Sequence, residues 1–296
     1  MLEELKTFIS VVEHKNFTKA GEYLNLSQPS VSTHIKNLEK FFKVTLINRS
    51  VKQKTIFITE SGYTLYKRSK EVINLLATTY MEVHNTSNSI KGNLKIGASL
   101  TIGEYILPKF VGIFSEKYPD IDVEIFINNT STICSHLKDL TIDIGLIEGT
   151  SSSSNFTQEY FLKDNMVLAF AYNTNLNNSN FSLDTLNNKK WIVREEGSGT
   201  REFLNMFLSA NEIIPERIMV LGSNYAVKEA VKNNLGVTII SDFVTERAVK
   251  NNELSTIDLG DSYTRHFSYI SPKNITLSKS SQVFLDELKD YVYTLK

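Results

Sequence analysis

Cysteine is almost absent from the 296 residues, since Cys134 is the only one. A single cysteine excludes a disulfide framework and a zinc site built from several cysteines. Thirteen glycines and five prolines are too few for a collagen-like or linker-like chain. No stretch approaches the roughly 20 apolar residues that span a bilayer, and the acidic start, with Glu3 and Glu4, does not resemble a secretory signal. We therefore expect a soluble cytoplasmic protein with no membrane partner.

Residues for catalysis or metal binding are also sparse. The five histidines are scattered, and none stands at a spacing typical of a metal site. The run Gly-Ser-Gly-Thr-Arg at 197–201 is not the Gly-X-Ser-X-Gly sequence of hydrolases, and it lacks the lysine of a P-loop. The sequence therefore predicts no catalytic residues, no metal and no cofactor.

Charge is distributed unevenly, although the net charge is only −1. Residues 1–70 carry 12 lysines and arginines against 6 acidic residues, whereas the remaining 226 residues have a net charge of −7. A basic first quarter on an acidic body indicates that the first quarter contacts a polyanion such as DNA.

Helical patterns fill residues 1–42. Apolar side chains between Leu5 and Val12 recur at the spacing of one helix face. Thr18 is expected to cap a second helix that runs to Leu24, and Ser27 is expected to cap a third. Two helices joined by so short a turn predict a helix-turn-helix.

The third helix and the segment after it supply the candidate DNA contacts. Small polar side chains lie opposite the apolar face of Val31, Ile35 and Leu38, and a basic hairpin follows between predicted strands at 44–47 and 55–59. The alternative is a small helical core whose basic face is only solvated. The candidate DNA-binding residues are Gln28, Pro29, Ser30, Ser32, Thr33 and Lys36 in the helix, and Arg49, Lys52 and Lys54 in the hairpin, or wing.

Residues 5–39 resemble the winged helix-turn-helix of LysR-type transcriptional regulators. The run Ser-Gln-Pro-Ser-Val-Ser at 27–32 and the run Thr-Glu-Ser-Gly at 59–62 stand where that family has its motifs. Ile47 stands where many members have phenylalanine, and Thr33 where many have arginine. The second departure weakens any expectation of a guanine contact from position 33.

The resemblance covers the whole chain and implies its division into domains. It implies a DNA-binding domain at 1–60, a linker or dimerisation helix with a hinge at 61–90, and an effector-binding domain at 91–296. That domain resembles periplasmic binding proteins of type II topology, with lobe I at about 91–162 and 269–296 and lobe II at about 163–268. The chain is expected to cross between lobes near 162–164 and 266–271.

The predicted linker helix at about 59–89 is amphipathic and has no core of its own to cover its apolar side. A second copy of the same helix is the expected partner, and packing against the chain's own body is the alternative. We therefore expect a homodimer or a homotetramer.

The body alternates strands and helices. Strands are predicted at 94–98, 122–127, 143–147, 166–172, 191–193, 218–221 and 237–241. Helices are predicted between them at 105–118, 133–140, 200–210 and 224–234. This order of elements predicts an α/β fold with mostly parallel strands.

Hydroxyl or amide residues stand at four strand-to-helix junctions of the body. Ligands of open α/β sheets bind beyond the carboxyl ends of strands, where free helix amides favour an anion. Plain N-capping explains each junction equally well, except 197–201, whose two glycines exceed what a cap needs. Arg201 can face an anion or pair with a neighbouring glutamate at 195, 196 or 202. The candidate effector-binding residues are Ser99, Leu100, Thr101, Asn129, Thr130, Ser198, Thr200, Arg201 and Asn224.

These observations predict a LysR-type transcription regulator and not an enzyme. Its partners would be double-stranded promoter DNA and a small, anionic effector in the cleft between the lobes. The alternative is a two-lobed binding protein or enzyme that uses the same anion site, with the N-terminal residues serving only protein contacts.

Overall fold

The structure, a computed structural model, describes residues 1–49, 56–84, 90–151, 153–172, 174, 182–273 and 275–294. The chain divides into two compact units, Met1–Asn88 and Ser89–Lys296. The predicted wing residues Lys52 and Lys54 lie outside the described residues, as does most of the predicted hinge.

The first unit is a helical domain with a short hairpin. Every helix and strand of this unit contributes side chains to its core or packs against it. Its described elements are α1 (Leu2–His14), α2 (Phe17–Leu24), α3 (Gln28–Phe42), β1 (Ile47–Arg49), β2 (Ile56–Ile58) and α4 (Glu60–His84). β1 and β2 pair antiparallel. The core side chains are Leu5, Phe8, Val11, Val12, Phe17, Ala20, Val31, Ile35, Leu38, Leu46, Ile47 and Tyr66.

Side-chain caps define where α2 and α3 begin. Asn16 Oδ1 accepts hydrogen bonds from the amides of Thr18 and Lys19 at 2.8 and 3.0 Å, so α2 starts one residue after Asn16. The expectation that Thr18 caps this helix is wrong, because Thr18 already lies within the first turn and the side chain of Asn16, just outside the helix, accepts from the first-turn amides. Ser27 caps α3 as expected, with its Oγ 3.2 Å from the amide nitrogen of Ser30.

The turn between α2 and α3 depends on a glycine. A Cβ atom on Gly21 would lie 2.6 Å from the carbonyl oxygen of Leu26 and 3.4 Å from Cγ2 of Val31. Because the closer atom belongs to the backbone, a side chain at Gly21 would push the turn away from α2. The short turn predicted from sequence therefore requires the smallest residue at this position.

The second unit is an α/β domain. Its described elements are β3 (Gly92–Ala98), a π-helical turn (Ile102–Ile106), α5 (Leu107–Lys117), β4 (Ile121–Ile127), α6 (Thr130–Lys138), β5 (Ile144–Glu148), β6 (Phe156–Ala171), a 3₁₀ turn (Leu183–Leu186), β7 (Lys190–Arg194), α7 (Gly199–Ala210), β8 (Arg217–Leu221), α8 (Asn224–Lys232), β9 (Thr238–Ser241), α9 (Asp242–Lys250), β10 (Leu254–Asp258), β11 (Thr264–Pro272) and α10 (Lys279–Tyr293).

The strands of this unit run in both directions. The main sheet has the order β10-β6-β11-β5-β3-β4, with β9 also paired to β6, and β7 pairs with β8. β3 lies parallel to β4 and β5, and β7 parallel to β8. β6 and β11 are antiparallel to all their partners. The α/β class is confirmed, but the expectation of mostly parallel strands is wrong, because these two long strands return through the sheet.

The two long strands connect two hydrophobic cores, which we call the cores of the first and second lobes. β6 contributes Leu162 to the first core and Met166 to the second, so the strand crosses between them. Before β11, Tyr263 packs against the second core, whereas Phe267 belongs to the first. The second crossing therefore lies between Tyr263 and Phe267.

Two strands were missed by the sequence pattern. Neither β10 nor β11 was predicted as a strand, and the first ten residues of β6 were not predicted either. The outer half of β6 alternates half-buried and exposed side chains and offers no apolar run, since it contains Gln158, Glu159 and Lys163. Its strand conformation comes from pairing with β11, which lies about 100 residues later in the chain.

Candidate DNA interface and ligand cleft

The predicted contact residues of α3 lie on the side of the helix that faces away from the core. Gln28 Nε2 donates a hydrogen bond to Ser32 Oγ at 2.9 Å, one helical turn away. Thr33 Oγ1 donates to the carbonyl oxygen of Pro29 at 3.0 Å. All six are exposed or half-exposed: Gln28, Pro29, Ser30, Ser32, Thr33 and Lys36.

The opposite side of α3 is fixed to the core. Val31, Ile35 and Leu38 are buried there. His34 Nδ1 lies 2.8 Å from Oγ1 of Thr7, a buried residue of α1. His34 therefore holds α3 against α1.

The hairpin is attached to the end of α3 by a side chain that sequence reasoning missed. Glu39 Oε1 accepts hydrogen bonds from the amides of Leu46 and Ile47 at 2.9 and 3.3 Å. Thr59 Oγ1 donates to the carbonyl oxygen of Thr45 at 2.8 Å. These contacts fix the base of the wing. Of its predicted contact residues, Arg49 ends β1, and the two lysines lie outside the described residues.

In the second unit, the four predicted junctions meet where the two lobes face each other. Asn224 Nδ2 of the second lobe donates to Thr101 Oγ1 of the first at 3.0 Å. Asn129 Nδ2 donates to Glu195 Oε1 at 3.2 Å. The amide of Ser131 donates to the carbonyl oxygen of residue 197 at 3.0 Å. The junctions therefore form one cleft, closed by direct hydrogen bonds between the lobes.

The two glycines of the 197–201 run permit this closure. Gly197 has φ +84°, and a Cβ atom there would lie 2.8 Å from Cβ of Ser131. A Cβ atom on Gly199 would lie 2.7 Å from Cβ of Glu148. Ser198 begins α7 without a side-chain hydrogen bond to the helix amides. The run therefore brings α7 close to the first lobe and leaves its first turn uncapped.

A carboxylate of the protein occupies the centre of the cleft. Glu148 ends β5 and is 2% exposed. Its Oε1 accepts a hydrogen bond from the amide of Thr101 at 3.2 Å, and its Oε2 accepts one from Thr200 Oγ1 at 3.0 Å. Arg265 Nη1 donates to Oε2 at 2.8 Å. Donors expected to bind an effector are thus already engaged by the chain's own side chain.

Arg265, on β11, also binds the other crossing strand, β6. Its Nε donates to Asp164 Oδ2 at 2.7 Å, and its Nη1 donates to Thr200 Oγ1 at 3.1 Å. Ser241 Oγ donates to Asp164 Oδ1 at 2.6 Å. The buried guanidinium therefore joins β5, β6, β11 and the start of α7.

The two carboxylates that flank Arg265 have opposite pKa shifts. Burial raises the pKa of Glu148, but Arg265 and the hydrogen bonds from Thr101 and Thr200 outweigh it, and the pKa is lowered to about 2. Burial dominates at Asp164 and raises its pKa to about 6, against the opposing effect of Arg265. Glu148 is therefore the firmly ionised partner of the guanidinium.

A second buried arginine completes the second-lobe wall. Arg194 Nε and Nη2 bind the two oxygens of Glu195 at 2.7 and 2.8 Å, and its Nη1 donates to Asn224 Oδ1 at 2.6 Å. Arg201 Nη1 donates to the carbonyl oxygen of Arg194 at 3.2 Å. Glu195, one of the pairing partners considered for Arg201, instead binds Arg194.

Several buried polar atoms of the cleft have no hydrogen-bond partner within the described part of the chain. They belong to three of the predicted effector-binding residues and to Arg265. Leu100, another predicted effector-binding residue, is half-exposed. Buried polar groups are nearly always hydrogen-bonded, so these atoms mark a place for further acceptors or donors. They are Ser99 Oγ, Thr130 Oγ1, Arg201 Nε and Arg265 Nη2.

Other chemistry finds no support in the described residues. No group of three His, Cys, Asp or Glu side chains among them could hold a metal ion. Cys134 is half-buried, its Sγ lies 3.9 Å from Ser151 Oγ, and burial raises the pKa of its thiol. No helix in this part of the chain is both long and apolar enough to cross a membrane.

The sequence analysis did not identify the charged residues of the cleft. Glu148 and Arg194 end buried strands, so the rule that located the four junctions could also have located these two side chains. Asp164 and Arg265 lie within strands that cross between the lobes, where no sequence signal indicated a functional position.

Both units match known protein families. Residues 2–63 match the family described as "Bacterial regulatory helix-turn-helix protein, lysR family", and residues 87–292 match the "LysR substrate binding domain". The HTH-type transcriptional regulator CysL of Bacillus subtilis (strain 168) is 41% identical over 287 residues, which cover 96% of this chain and 95% of that protein.

Two solved structures resemble the fold. A full-length OxyR variant from Pseudomonas aeruginosa has a TM-score of 0.79 at 19% identity and covers 98% of this chain and 94% of its own. The regulatory domain of Synechocystis PCC6803 CcmR, solved in complex with 2-PG, has a TM-score of 0.63 at 25% identity. It covers 68% of this chain and 97% of its own.

Replacement of Asp164 by asparagine should flatten the dependence of stability on pH. The raised pKa means that the folded protein holds this proton more tightly than the unfolded chain. Its stabilising contribution is complete below the unfolded pKa of about 4 and is lost as the pH rises through the folded pKa. In Asp164→Asn, Oδ1 can accept from Arg265 and Nδ2 can donate to Ser241, so the shape is kept.

The measurement is the melting temperature between about pH 4 and pH 7. The wild type should lose stability over this range relative to Asp164→Asn. Asp261→Asn, at an exposed position, serves as the control and should follow the wild type. Parallel curves for the wild type and Asp164→Asn would contradict the assignment.

Proposed function

Because the chain belongs to the LysR family of transcription regulators, we propose that the outer face of α3 and the basic hairpin read promoter DNA, and that a small anion in the cleft of the second unit controls this reading. The family consists of DNA-binding regulators rather than enzymes, which sets aside the alternative of a two-lobed enzyme. We further propose that the protein works in the cytoplasm, together with the DNA.

The orientation of α3 carries the DNA-binding proposal. Hydrogen-bonding side chains with no role in the core lie along its outer face, and His34 and Glu39 fix the helix from behind. Gln28 presents a carboxamide, which can bind adenine through two hydrogen bonds in the major groove. The excess of basic residues in 1–70 supplies phosphate contacts, which make affinity depend on salt.

Gln28→Ala and Lys36→Ala should weaken DNA binding in different ways. Loss of a bidentate carboxamide contact should reduce discrimination between an operator and a mutated operator by about 1–3 kcal/mol without changing the salt dependence. Loss of a lysine that neutralises a phosphate should lower the slope of log affinity against log salt by about one unit. Fluorescence anisotropy with an operator selected from random duplexes measures both quantities.

Lys109→Ala is the matched control, since it removes the same charge from an exposed position of α5 in the other unit. It should change neither quantity. A wild-type affinity that does not vary with salt would contradict DNA binding through this face.

We also propose that α4 makes a homodimer, from which a homotetramer can be built. Its described apolar side chains at 72, 75, 76, 80 and 83 are exposed and lie along one side of the helix. Beside them is a groove of about 540 Å³, whose lining includes the apolar residues Phe42, Leu65 and Val72 as well as polar residues of α4. A second copy of α4 could cover both surfaces.

Leu75→Glu should convert the dimer to a monomer. Leu75 is 63% exposed within one chain, so the charge would not disturb the fold of the unit, but it would be buried without a partner in the dimer. Ala77→Glu places the same charge on the same helix, away from the apolar stripe. Sedimentation should give a monomer for the first variant and a dimer for the second. An unchanged dimer for Leu75→Glu would place the interface elsewhere.

The unpartnered donors of the cleft support an anionic effector. The buried hydroxyls of Ser99 and Thr130 and Nη2 of Arg265 have no partner within the described chain. The uncapped first turn of α7 adds backbone amides and the positive end of a helix dipole. In CcmR, a relative of the same fold, the regulatory domain binds 2-PG. Binding between the lobes would favour one arrangement of the cleft over another.

Ser99→Ala and Thr130→Val should abolish effector binding without destabilising the ligand-free protein. Each removes a buried hydroxyl that has no partner, so no existing hydrogen bond is lost. An effector at about 100 times its dissociation constant should stabilise the wild type by about 2.7 kcal/mol. A screen of small anions by melting temperature measures this shift.

Thr200→Val provides the contrast, because its hydroxyl already binds Glu148 and Arg265, so its loss should lower the ligand-free melting temperature. A shift caused only by neutral compounds, or one that survives both Ser99→Ala and Thr130→Val, would show that the anion site is wrong.

A further inference from the structure

Glu148 accepts hydrogen bonds from the same donors that an anion would use. Building on the anionic effector proposed above, we propose that anion binding in the cleft transfers one proton from solvent to the Glu148 carboxylate. The new O–H bond forms at a Glu148 oxygen as the bond to that proton breaks in a hydronium ion or buffer acid of the solvent, and the neutral carboxyl then donates a hydrogen bond to the anion. The effector is therefore bound together with a proton.

The charges around Glu148 leave no room for a second uncompensated anion. The groups that face it are Arg265 of β11, Asp164 of β6, Arg194 of β7 and Glu104 of the π-helical turn. Arg194 is already paired with Glu195 through two hydrogen bonds. Glu104 is exposed, whereas the buried Arg265 already binds two carboxyl groups, those of Glu148 and Asp164.

Glu148 cannot avoid the anion by moving into water. It is the last residue of β5 and pairs with Phe267 of β11. Its Cβ lies against Gly199, where a side chain on the glycine would collide with it. An anion that takes over the hydrogen bonds of Thr101, Thr200 or Arg265 must therefore remain beside the carboxyl group.

Two anionic groups that share a buried site do not both stay ionised, and the pKa of one is strongly raised. In the ligand-free protein, the hydrogen bonds and Arg265 keep the pKa of Glu148 at about 2. An anion that withdraws those donors removes the stabilisation and adds a repulsive charge. Both changes raise the pKa of Glu148 and drive uptake of the proton.

A second observation indicates that a ligand belongs at this place. Ser99 Oγ, Thr130 Oγ1 and Arg265 Nη2 are unpartnered, and their residues are 1%, 8% and 6% exposed. Each of the two hydroxyls can donate a hydrogen bond to an anion, and so can Nη2 of Arg265. The proton on Glu148 then supplies a further donor, so that a closed cleft can hold a charged ligand.

Titration calorimetry with inorganic sulfate tests the proposal, because sulfate remains fully ionised near neutral pH and any proton taken up goes to the protein. Measurements in buffers of different ionisation enthalpy give the number of protons directly. The wild type should take up one proton per sulfate, and the dissociation constant should fall about tenfold for each unit by which the pH is lowered.

At a pH well above the raised pKa of Asp164, which is about 6, Glu148→Gln should bind sulfate without proton uptake and with a dissociation constant independent of pH. Asp164→Asn is the matched control, since it replaces the other buried carboxylate on Arg265, and it should keep the uptake of one proton. Melting temperatures confirm that each variant folds. The wild-type proton count tests the proposal even where Glu148→Gln does not fold.

Two results would overturn the proposal while leaving the anion site intact. One is sulfate binding to the wild type without proton uptake. The other is an uptake that persists in Glu148→Gln and disappears in Asp164→Asn, which would assign the proton to Asp164. Failure of sulfate to bind either the wild type or Glu148→Gln would contradict the anion site, and this inference with it.

Discussion

A buried guanidinium needs carboxylates to balance its charge, and the contacts between the lobes of the second unit are arranged around the guanidinium of Arg265. An unpaired charge in such a place costs several kcal/mol, so the carboxylates that bind it are held in place as firmly as the core. Glu148 comes from a strand of the first lobe, Asp164 from the crossing part of β6, and Thr200 from the first turn of α7. The closed cleft and the two crossing strands therefore depend on the same side chain.

This arrangement explains how a cleft with so few free donors can respond to a ligand. A ligand shifts a conformational equilibrium only by its differential affinity for the two states. In the closed cleft, Thr101, Thr200 and Arg265 already bind Glu148. The proposed anion would exchange these bonds, so its binding would alter contacts that join the lobes. In this proposal, direct competition with an internal carboxylate couples ligand binding to the arrangement of the lobes.

Local patterns predicted the fold better than they predicted the site. Ser27 as a cap, the outer face of α3 and the strand-to-helix junctions follow from neighbouring residues, and the structure has them there. The cap of α2 is Asn16 and not Thr18, because both residue types cap helices and only the start of the helix separates them. The outer half of β6 and the pair of Asp164 and Arg265 join residues about 100 positions apart. Such contacts leave no periodic signal in the sequence.

The central claim is that Glu148 is an ionised internal competitor that becomes neutral when an anion binds. Carboxyl ¹³C chemical shifts of protein labelled at glutamate test it directly, with the Glu148 resonance assigned by its absence in Glu148→Gln. The resonance should report an ionised carboxylate in ligand-free protein at neutral pH and move to the protonated position when sulfate saturates the site. A resonance that stays at the ionised position in the sulfate complex would contradict the account.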